Sequence, residues 1–301
     1  MAKKQTIEHL FHNVLKEKIA FGESKHLVKQ NLGFGESSYK IFSYSTYNTY
    51  LKECRAFADW LKETKGISKA VDLAITEQYA IEYLRDRLDS GTSVYTVKME
   101  RSALSMLYNK PIDIKMPVRD NKNIYRSRQK TTNDKHHSRN GKYKNLFTMA
   151  LATGGRRCDI EKITVNSFRE IDGSLYVEFK QSKGGRDRLT PVRVEYSEQV
   201  KEIIEQAKTE GKTRLFGKIP NKIDIHSLRR EYAQNLYQDI VKNPELRDKY
   251  LKQYPSRKED VKRQIYRDRN GNTYNRDDVY VVTQALGHNR LDVTITHYLK
   301  G

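Results

Sequence analysis

Apolar residues recur every three or four positions through the first third of the chain, the spacing that places side chains on one face of an α-helix. One such stretch covers residues 7–19, and a longer one covers residues 47–61 and ends before Gly66. Two shorter stretches follow, for which Thr76 and Ser93 are the candidate N-cap residues. This pattern predicts a small bundle of helices at the amino-terminal end.

A second pattern, of short stretches rich in β-branched and aromatic residues, occurs in the other half of the chain. Residues 174–180 and 188–194 both have this composition, and Gly184 and Gly185 lie between them. Adjacent glycines suit the tight connection of a β-hairpin, because glycine adopts the positive φ angles that such turns require. We therefore predict a mainly α chain with a small β-sheet or hairpin in its second half, and Lys183 on the turn of that hairpin.

The segment between these two regions is rich in Lys, Arg, Asn and Ser, and its apolar residues show little periodicity. We predict a helical region at 1–116, a basic linker at 117–140 and a second domain at 141–301. A disordered spacer has the same composition as a basic linker, so the pattern does not choose between them. The adjacent His136 and His137 are interpreted as exposed side chains, because no second pair of metal ligands follows them.

The charge of the chain indicates a class of partner. The sequence has 57 Lys and Arg against 38 Asp and Glu, a formal net charge of +19, which favours attraction to a phosphate backbone. Basicity alone does not distinguish DNA from RNA. The two cysteines, Cys54 and Cys158, provide neither metal-ligand spacing nor a disulfide framework, which fits a reducing cytosol. No apolar run follows the first residues, so we expect a soluble cytoplasmic protein with no membrane partner.

The second half also carries the residue types that a metal-free reaction at a phosphodiester needs. Attack on phosphorus builds negative charge on the non-bridging oxygens, and cationic donors must stabilise that charge. Arg156 and Arg229 suit this role, because a guanidinium can bind two phosphate oxygens at once and stays charged at any working pH. His226 precedes Arg229 by three positions, which places both side chains on one face of a helix.

Tyr298 is the candidate nucleophile, because attack by its hydroxyl would leave a phosphotyrosyl bond and a free hydroxyl. Lys183 is the candidate general acid that protonates the departing oxygen. Each residue has an ordinary interpretation when it is taken alone. A tyrosine, here one of 20, is usually a packing residue, and a lysine is usually a solvated surface charge. The hypothesis therefore depends on the order and spacing of the whole set.

The order of these motifs resembles the tyrosine recombinases, also called the phage-integrase family. The motifs are Thr153-Gly-Gly-Arg-Arg-Cys-Asp159, Lys183-Gly-Gly-Arg, His226-Ser-Leu-Arg229, and Leu286-Gly-His followed by Tyr298. By motif position, the resemblance implies the following residues: two arginines (Arg156 and Arg229), a hairpin lysine (Lys183), two histidines (His226 and His288), the nucleophile (Tyr298) and a supporting acid (Asp159). It implies neither a metal nor any other cofactor, and it covers roughly residue 142 to the end.

The resemblance also implies an architecture and an activity. In this family a helical core-binding domain, here about residues 39–110, and an α+β catalytic domain form a two-domain clamp around DNA. The family cleaves one strand through a 3′-phosphotyrosyl intermediate and exchanges strands through a Holliday junction. The expected partners are double-stranded DNA with paired half-sites, a homo-tetramer assembled on that DNA and an accessory directionality factor.

Some features of the sequence depart from the pattern of the family. Gly155 stands where the family prefers a leucine-like residue, and Arg230 stands where a histidine often follows the second arginine. The chain between Arg229 and His288 is longer than in the most compact members, which predicts an insertion with a second hairpin at 266–274. A solvated charged loop and an added DNA contact explain this insertion equally well.

Several functions are compatible with this site. The insertion and the spacing of Tyr298 from His288 resemble integrases of conjugative transposons, which favours integration or excision of a mobile element. A chromosome or plasmid dimer resolvase of the Xer type has the same active site. A type IB topoisomerase-like enzyme shares the chemistry but relaxes DNA as a monomer, and a silent DNA-binding protein would be expected to lose some site residues. Because only three residues follow Tyr298, we expect a monomer in the absence of DNA.

Overall fold

The computed structural model describes residues 5–33, 35–118, 139–182, 186–255, 264–268 and 271–299. The chain divides into two compact units, Met1–Ile124 and Tyr125–Gly301, each with its own hydrophobic core. The first unit is helical and the second combines helices with small antiparallel sheets. The predicted fold class, mainly α with a small β-sheet, is therefore confirmed.

In the described part of the first unit, six helices form a bundle. They are α1 Ile7–Glu17, α2 Lys25–Asn31, α3 Tyr44–Lys65, α4 Leu73–Glu77, α5 Ala80–Asp89 and α6 Val94–Tyr108. The apolar faces of α1, α3, α5 and α6 meet in one core, in which Phe11, Leu61, Leu84 and Leu104 are fully buried. Burial of these faces removes apolar surface from water, which is the main favourable term for such a bundle.

Two of the predicted helix ends in this unit are confirmed and one is wrong. The side chain of Ser93 accepts a hydrogen bond from the backbone N–H of Thr96 at the start of α6, and Gly66 ends α3 at φ 67°. Thr76 does not cap a helix. It lies fully buried within α4, where its hydroxyl donates to the carbonyl of Leu73 and accepts from the hydroxyl of Tyr108. A buried tyrosine hydroxyl needs a partner, and tertiary packing supplies Thr76.

The second unit begins at Tyr125, within the predicted linker, and most of that linker, residues 119–138 with His136 and His137, lies outside the described residues. Its helices are α7 Lys144–Thr153, α8 Arg157–Ile160, α9 Ser197–Thr209, α10 Ile225–Lys242, α11 Pro244–Gln253, α12 Arg276–Ala285 and α13 Leu291–Thr294, and a π-helical turn covers Ile295–Leu299. Its strands are β1 Phe168–Ile171, β2 Ser174–Ser182, β3 Arg186–Pro191, β4 Ile265–Arg267 and β5 Thr273–Asn275. Among the described residues, no helix is long and apolar enough to cross a membrane.

The three-stranded sheet of the second unit is antiparallel, in the order β1-β2-β3. Strands β2 and β3 pair with Val177 opposite Thr190 and Phe179 opposite Arg188, which confirms the predicted hairpin. Its turn, with Lys183, lies outside the described residues.

The described part of the insertion before His288 contains helix α11 and strands β4 and β5. Strands β4 and β5 form the second predicted hairpin, with Tyr266 opposite Tyr274. Helix α11 packs on the body of the unit through Tyr250, which is fully buried, and the hydroxyl of the following Tyr254 donates to the carbonyl of Leu189 at 2.7 Å. A solvated loop is therefore the wrong description of α11, because its aromatic residues find buried surface.

Helix α10 determines where the site lies. Its buried side chains include Leu228, Tyr232 and Leu236, and it packs against α7, α12 and the π-helical turn. The carboxy-terminal end of α7, the first turns of α10 and the turn after α12 are therefore brought together. Each of these three places carries one of the motifs found in the sequence.

Candidate active site

Arg156 is positioned by a glycine turn at the end of α7. Gly154 ends the helix at φ 58°, and a Cβ on this residue would lie 2.2 Å from Cδ1 of Tyr232. Only glycine tolerates both the left-handed backbone and this close approach. Arg156 then occupies the N-cap of α8, where its backbone N–H donates to the carboxylate of Asp159 at 3.0 Å.

Arg229 lies on the first turns of α10 with a side chain that is only 1% exposed. One terminal nitrogen of its guanidinium donates to the carbonyl of Gly154 and the other to the carbonyl of Leu286. The guanidinium of Arg156 donates to the same Leu286 carbonyl at 3.3 Å. Two guanidinium groups therefore converge on one backbone oxygen, a concentration of positive charge that burial makes unfavourable unless an anion balances it.

The hydroxyl of Tyr298 lies beside this pair, 3.5 Å from Nε of Arg229. Its side chain is 6% exposed, and its ring centroid lies 5.5 Å from that of His226 and 5.0 Å from that of His288. Tyr298 belongs to the π-helical turn, a form of helix that is rare and often marks functional sites. Its ring also packs in the core, so the residue has a structural role in addition to any chemical one.

The orientation of His288 is fixed by two threonines. The hydroxyl of Thr283 donates to that of Thr294 at 2.9 Å, and the Thr294 oxygen lies 3.1 Å from Nδ1 of His288. The Thr294 hydroxyl can donate to Nδ1 or accept from it, so this contact is compatible with either tautomer of the neutral imidazole. Nε2 faces a terminal nitrogen of Arg229 at 3.5 Å.

Burial and the surrounding cations set the charge states. Burial, followed by repulsion from Arg229, Arg156 and Arg188, lowers the pKa of His288 to about 3. The imidazole is therefore neutral near pH 7, with one donor and one acceptor nitrogen. Burial tends to raise the pKa of the Asp159 carboxyl, but the charge of Arg188 and several hydrogen bonds lower it below its ordinary value. Asp159 is therefore ionised.

No protein-family model and no curated protein matches the chain. Among solved structures, XerH site-specific recombinase bound to palindromic difH in a post-cleavage complex matches with a TM-score of 0.57 and 15% identity, over 100% of this chain and 95% of that chain. Its pre-cleavage complex with difH matches with a TM-score of 0.52 and 17% identity, over 99% and 94% of the two chains. This chain has the fold of the tyrosine recombinases. The resemblance inferred from the motifs is confirmed at the level of the fold.

The Tn1549 transposon integrase in complex with transposon right-end DNA also matches, with 11% identity over 99% of this chain and 96% of that chain. Its TM-score is 0.45, too low to bear on the fold of this chain.

Within this fold the site contains residues that the sequence did not single out. Arg188 on β3 pairs with Asp159 at 2.8 Å, and the hydroxyl of Ser182 at the end of β2 lies between the guanidinium groups of Arg156 and Arg188. Thr283 and Thr294 were also missed. The available signal was weak: Arg188 is the first residue of a stretch predicted to be a strand, and arginine is seldom buried without a partner.

The structure thus brings together Arg156, Asp159, His226, Arg229, His288 and Tyr298 from the residues expected in the site. Lys183 lies outside the described residues, directly after Ser182. Among the described residues, no group of three or more His, Cys, Asp or Glu side chains is placed to hold a metal ion.

Proposed function

We propose that this protein is a site-specific recombinase that breaks and rejoins DNA strands through a 3′-phosphotyrosyl intermediate and a Holliday junction. One observation carries the proposal. Arg156 and Arg229 donate to the same Leu286 carbonyl, and the Tyr298 hydroxyl lies 3.5 Å from Arg229. Asp159 is the carboxylate of the described residues that pairs with the site arginines, so positive charge exceeds negative charge there.

A phosphodiester is the anion that suits this excess charge. A guanidinium has five N–H groups. Those of Arg229 that donate to Gly154, Leu286 and Tyr298 leave two others, and a terminal nitrogen of Arg229 lies 3.5 Å from Nε2 of His288. When Nε2 carries the imidazole proton, its N–H faces the same space as the remaining Arg229 donors. These donors would bind the non-bridging oxygens as charge develops during attack, and being fixed in advance they need no reorganisation.

In the covalent step the Tyr298 hydroxyl loses one proton and the departing 5′-oxygen gains one. The Tyr298 oxygen attacks phosphorus, the bond from phosphorus to the 5′-oxygen breaks, and a phosphotyrosyl bond forms. Positive charge from Arg229 stabilises the tyrosine oxygen as it loses its proton, and we assign acceptance of that proton to His226. Lys183 is assigned the protonation of the departing 5′-oxygen. The reverse step, with a 5′-hydroxyl from another duplex, completes strand exchange.

This chemistry requires no metal or nucleotide, and its partners are double-stranded DNA with paired half-sites and a homo-tetramer assembled on that DNA. We assign the helical first unit to contact with the DNA core site. For the biological role we propose integration and excision of a mobile element, on the basis of the insertion, whose described part contains α11 and the β4–β5 hairpin. Paired inverted repeats at an element boundary beside the gene would support this role, whereas one chromosomal or plasmid dimer site would favour a resolvase.

The nucleophile is tested by trapping the covalent intermediate. Duplexes selected from a random pool by binding to the protein are nicked beside the candidate cleavage position, so that the released fragment diffuses away and the adduct accumulates. Tyr298→Phe should bind these duplexes normally but form no adduct, because only the attacking hydroxyl is lost. Tyr274→Phe, in the β4–β5 hairpin, is the matched control and should form the adduct at the native yield.

An adduct of native yield with Tyr298→Phe would refute the assignment. Failure to select any bound duplex would contradict the function itself. If an adduct forms, strand exchange between two duplexes supports a recombinase, whereas relaxation of a supercoiled plasmid without exchange supports a type IB topoisomerase-like enzyme.

A further inference from the structure

Arg188 makes three side-chain hydrogen bonds beside the site, and no part of the proposed chemistry uses it. Its side chain is 7% exposed. Its terminal nitrogens donate to Asp159 at 2.8 Å and Ser182 at 2.9 Å, and its Nε donates to Thr190 at 3.2 Å. The face of its guanidinium lies 4.4 Å from the ring centroid of Phe179. The contacts of Arg188 are therefore with other side chains around the site.

The Asp159 carboxylate, to which Arg188 donates, could also accept a hydrogen bond from the guanidinium of Arg156. One Asp159 oxygen accepts from Arg188 and from the backbone N–H of Arg156, and the other accepts from the hydroxyl of Ser182. The Arg156 guanidinium lies 3.7 Å from the nearer carboxylate oxygen, which is too far for a hydrogen bond. It donates instead to Ser182 at 3.0 Å.

We propose that Arg188 is a positioning residue that takes the direct hydrogen bond to Asp159 and thereby holds the guanidinium of Arg156 at a longer ion-pair distance from that carboxylate, available to the scissile phosphate. The inference rests on the proposed function, because it assigns Arg156 to a phosphate. Arg156 and Asp159 are three residues apart at the start of α8, so a directly hydrogen-bonded pair between them needs only a rotamer change.

The energetic reason is the cost of a buried carboxylate. The side chain of Asp159 is only 2% exposed, and an unpaired charge at that depth is strongly unfavourable. If Arg188 lost its charge, the nearest remaining cation among the described residues would be Arg156. A guanidinium bound to Asp159 has fewer N–H groups for a phosphate, and its charge is already neutralised.

Ser182 connects the three charged groups. Its hydroxyl donates to Asp159 at 2.9 Å and accepts from both Arg156 and Arg188. The end of β2 is therefore attached to the arginine network at the residue before Lys183. The fork of an arginine at position 188 places its donors on three separate nitrogens, whereas the three N–H groups of a lysine share one nitrogen.

The test uses Arg188→Gln and two versions of one nicked duplex. One has a normal scissile phosphate, and the other has a neutral methylphosphonate there. The variant should cleave the normal duplex at least about 10-fold more slowly than the native protein at saturating DNA, because Arg156 is withdrawn. Its cleavage of the methylphosphonate should stay close to the native rate on that substrate, because a neutral group has less need of Arg156.

Two further variants sharpen the test. Asp159→Asn combined with Arg188→Gln removes the carboxylate that captures Arg156 and should recover much of the lost rate on the normal duplex. Arg193→Gln is the matched control. Arg193 is also buried, at 6% side-chain exposure, and pairs with Asp239 and Glu195. Its loss should lower thermal stability and leave cleavage of both substrates by the folded protein unchanged.

The outcomes separate the inference from the proposed function. Equal slowing of both substrates by Arg188→Gln, or a double variant no faster than the single variant, would overturn the role of Arg188. If Arg188→Gln does not fold, Arg188→Lys replaces it, and a small loss confined to the normal duplex is then expected. Absence of a Tyr298 adduct in the native protein would instead refute the recombinase function.

Discussion

Two threonine hydroxyls lie beside Nδ1 of His288: Thr283 donates to Thr294, and the Thr294 oxygen lies 3.1 Å from Nδ1. We propose that Thr294 donates to Nδ1 in the reacting tautomer, so that the imidazole proton is on Nε2. Nε2 and the terminal nitrogen of Arg229, 3.5 Å apart, would then both donate to one acceptor, and a non-bridging phosphate oxygen fits that requirement.

Thr294→Val keeps the shape of the side chain but removes the proton donated to Nδ1. The imidazole could then carry its proton on Nδ1, and an unprotonated Nε2 would accept from Arg229 instead of donating to the phosphate. We expect single-turnover cleavage to fall by about 10-fold or more with little change in DNA affinity. The measurement is the rate of adduct formation at saturating duplex.

Thr283→Val is the matched control for this change. Thr294 keeps its hydroxyl in that variant and can still donate to His288, so the loss of rate should be smaller. Equal rates for Thr294→Val and the native protein would show that the tautomer has no part in the reaction.

The charge of His288 also predicts how stability depends on pH. Its pKa is about 3 in the folded protein, because burial and three neighbouring arginines oppose protonation. The pKa in an unfolded chain is about 6.5, so the unfolded state binds an additional proton between about pH 6.5 and about pH 3. The stabilisation is fully present above that window and is lost as the pH falls through it.

We expect the free energy of unfolding to decrease in this window with a slope from this residue of up to about 1.4 kcal/mol per pH unit. His288→Gln should reduce the slope. Urea unfolding of both proteins between about pH 7 and about pH 4 measures it. Parallel curves for the two proteins would contradict a neutral His288.

At the scale of secondary-structure elements, the turn between α7 and α8 explains a departure from the family pattern. A Cβ on Gly155 would lie 2.8 Å from Cγ1 of Ile160 and 3.0 Å from Cζ of Phe179. Both distances are too short for ordinary packing. The volume that a leucine-like side chain would occupy here is filled by these two residues.

Gly155→Ala should therefore lower the free energy of unfolding by about 1 to 3 kcal/mol, because the added methyl group overpacks this turn. Phe179→Leu in the same chain removes part of the ring and should recover some of the loss. Gly217→Ala is the control, since a Cβ there meets no atom within 4 Å and the φ angle needs no glycine. Chemical denaturation measures all three, and an unchanged stability in Gly155→Ala would refute the packing argument.

At the scale of the whole molecule, the charge of +19 predicts DNA binding that weakens steeply with salt. The insertion contributes if its free cations contact phosphates. Arg247 on α11 is paired with Asp278, so it is a poor candidate. Lys249 and Lys252 on the same helix are exposed and remain candidates.

Replacement of both lysines by Gln should flatten the slope of log affinity against log salt by up to about 2, since each phosphate contact contributes about 0.9. Cleavage of bound substrate should not change. Lys201 and Lys208 on α9 form a matched control pair, because each is already paired with a glutamate. Fluorescence anisotropy over a range of salt measures the slopes, and equal slopes for both double variants and the native protein would favour α11 as a solvated helix.

The local structure of this protein was largely determined by local sequence. Helices α1, α3 and α6 and both hairpins follow from side-chain spacing, from caps such as Ser93 and from turn residues, which act between near neighbours in the chain. The identity and order of the candidate reacting groups were also readable, because the chemistry of a phosphodiester requires particular side chains. Their roles remain predictions.

Only the tertiary structure decided what surrounds those groups. Arg188 and Ser182 meet Asp159 from 29 and 23 residues away, and the Leu286 carbonyl meets Arg156 from 130 residues away. The sequence does not mark which backbone oxygen will accept a hydrogen bond. The partner of an arginine on a strand is likewise set only when that strand packs against other elements. The same reason explains the error at Thr76, where Tyr108 on another helix supplied a partner. Contacts between distant segments depend on how the elements pack, and no local pattern records that packing.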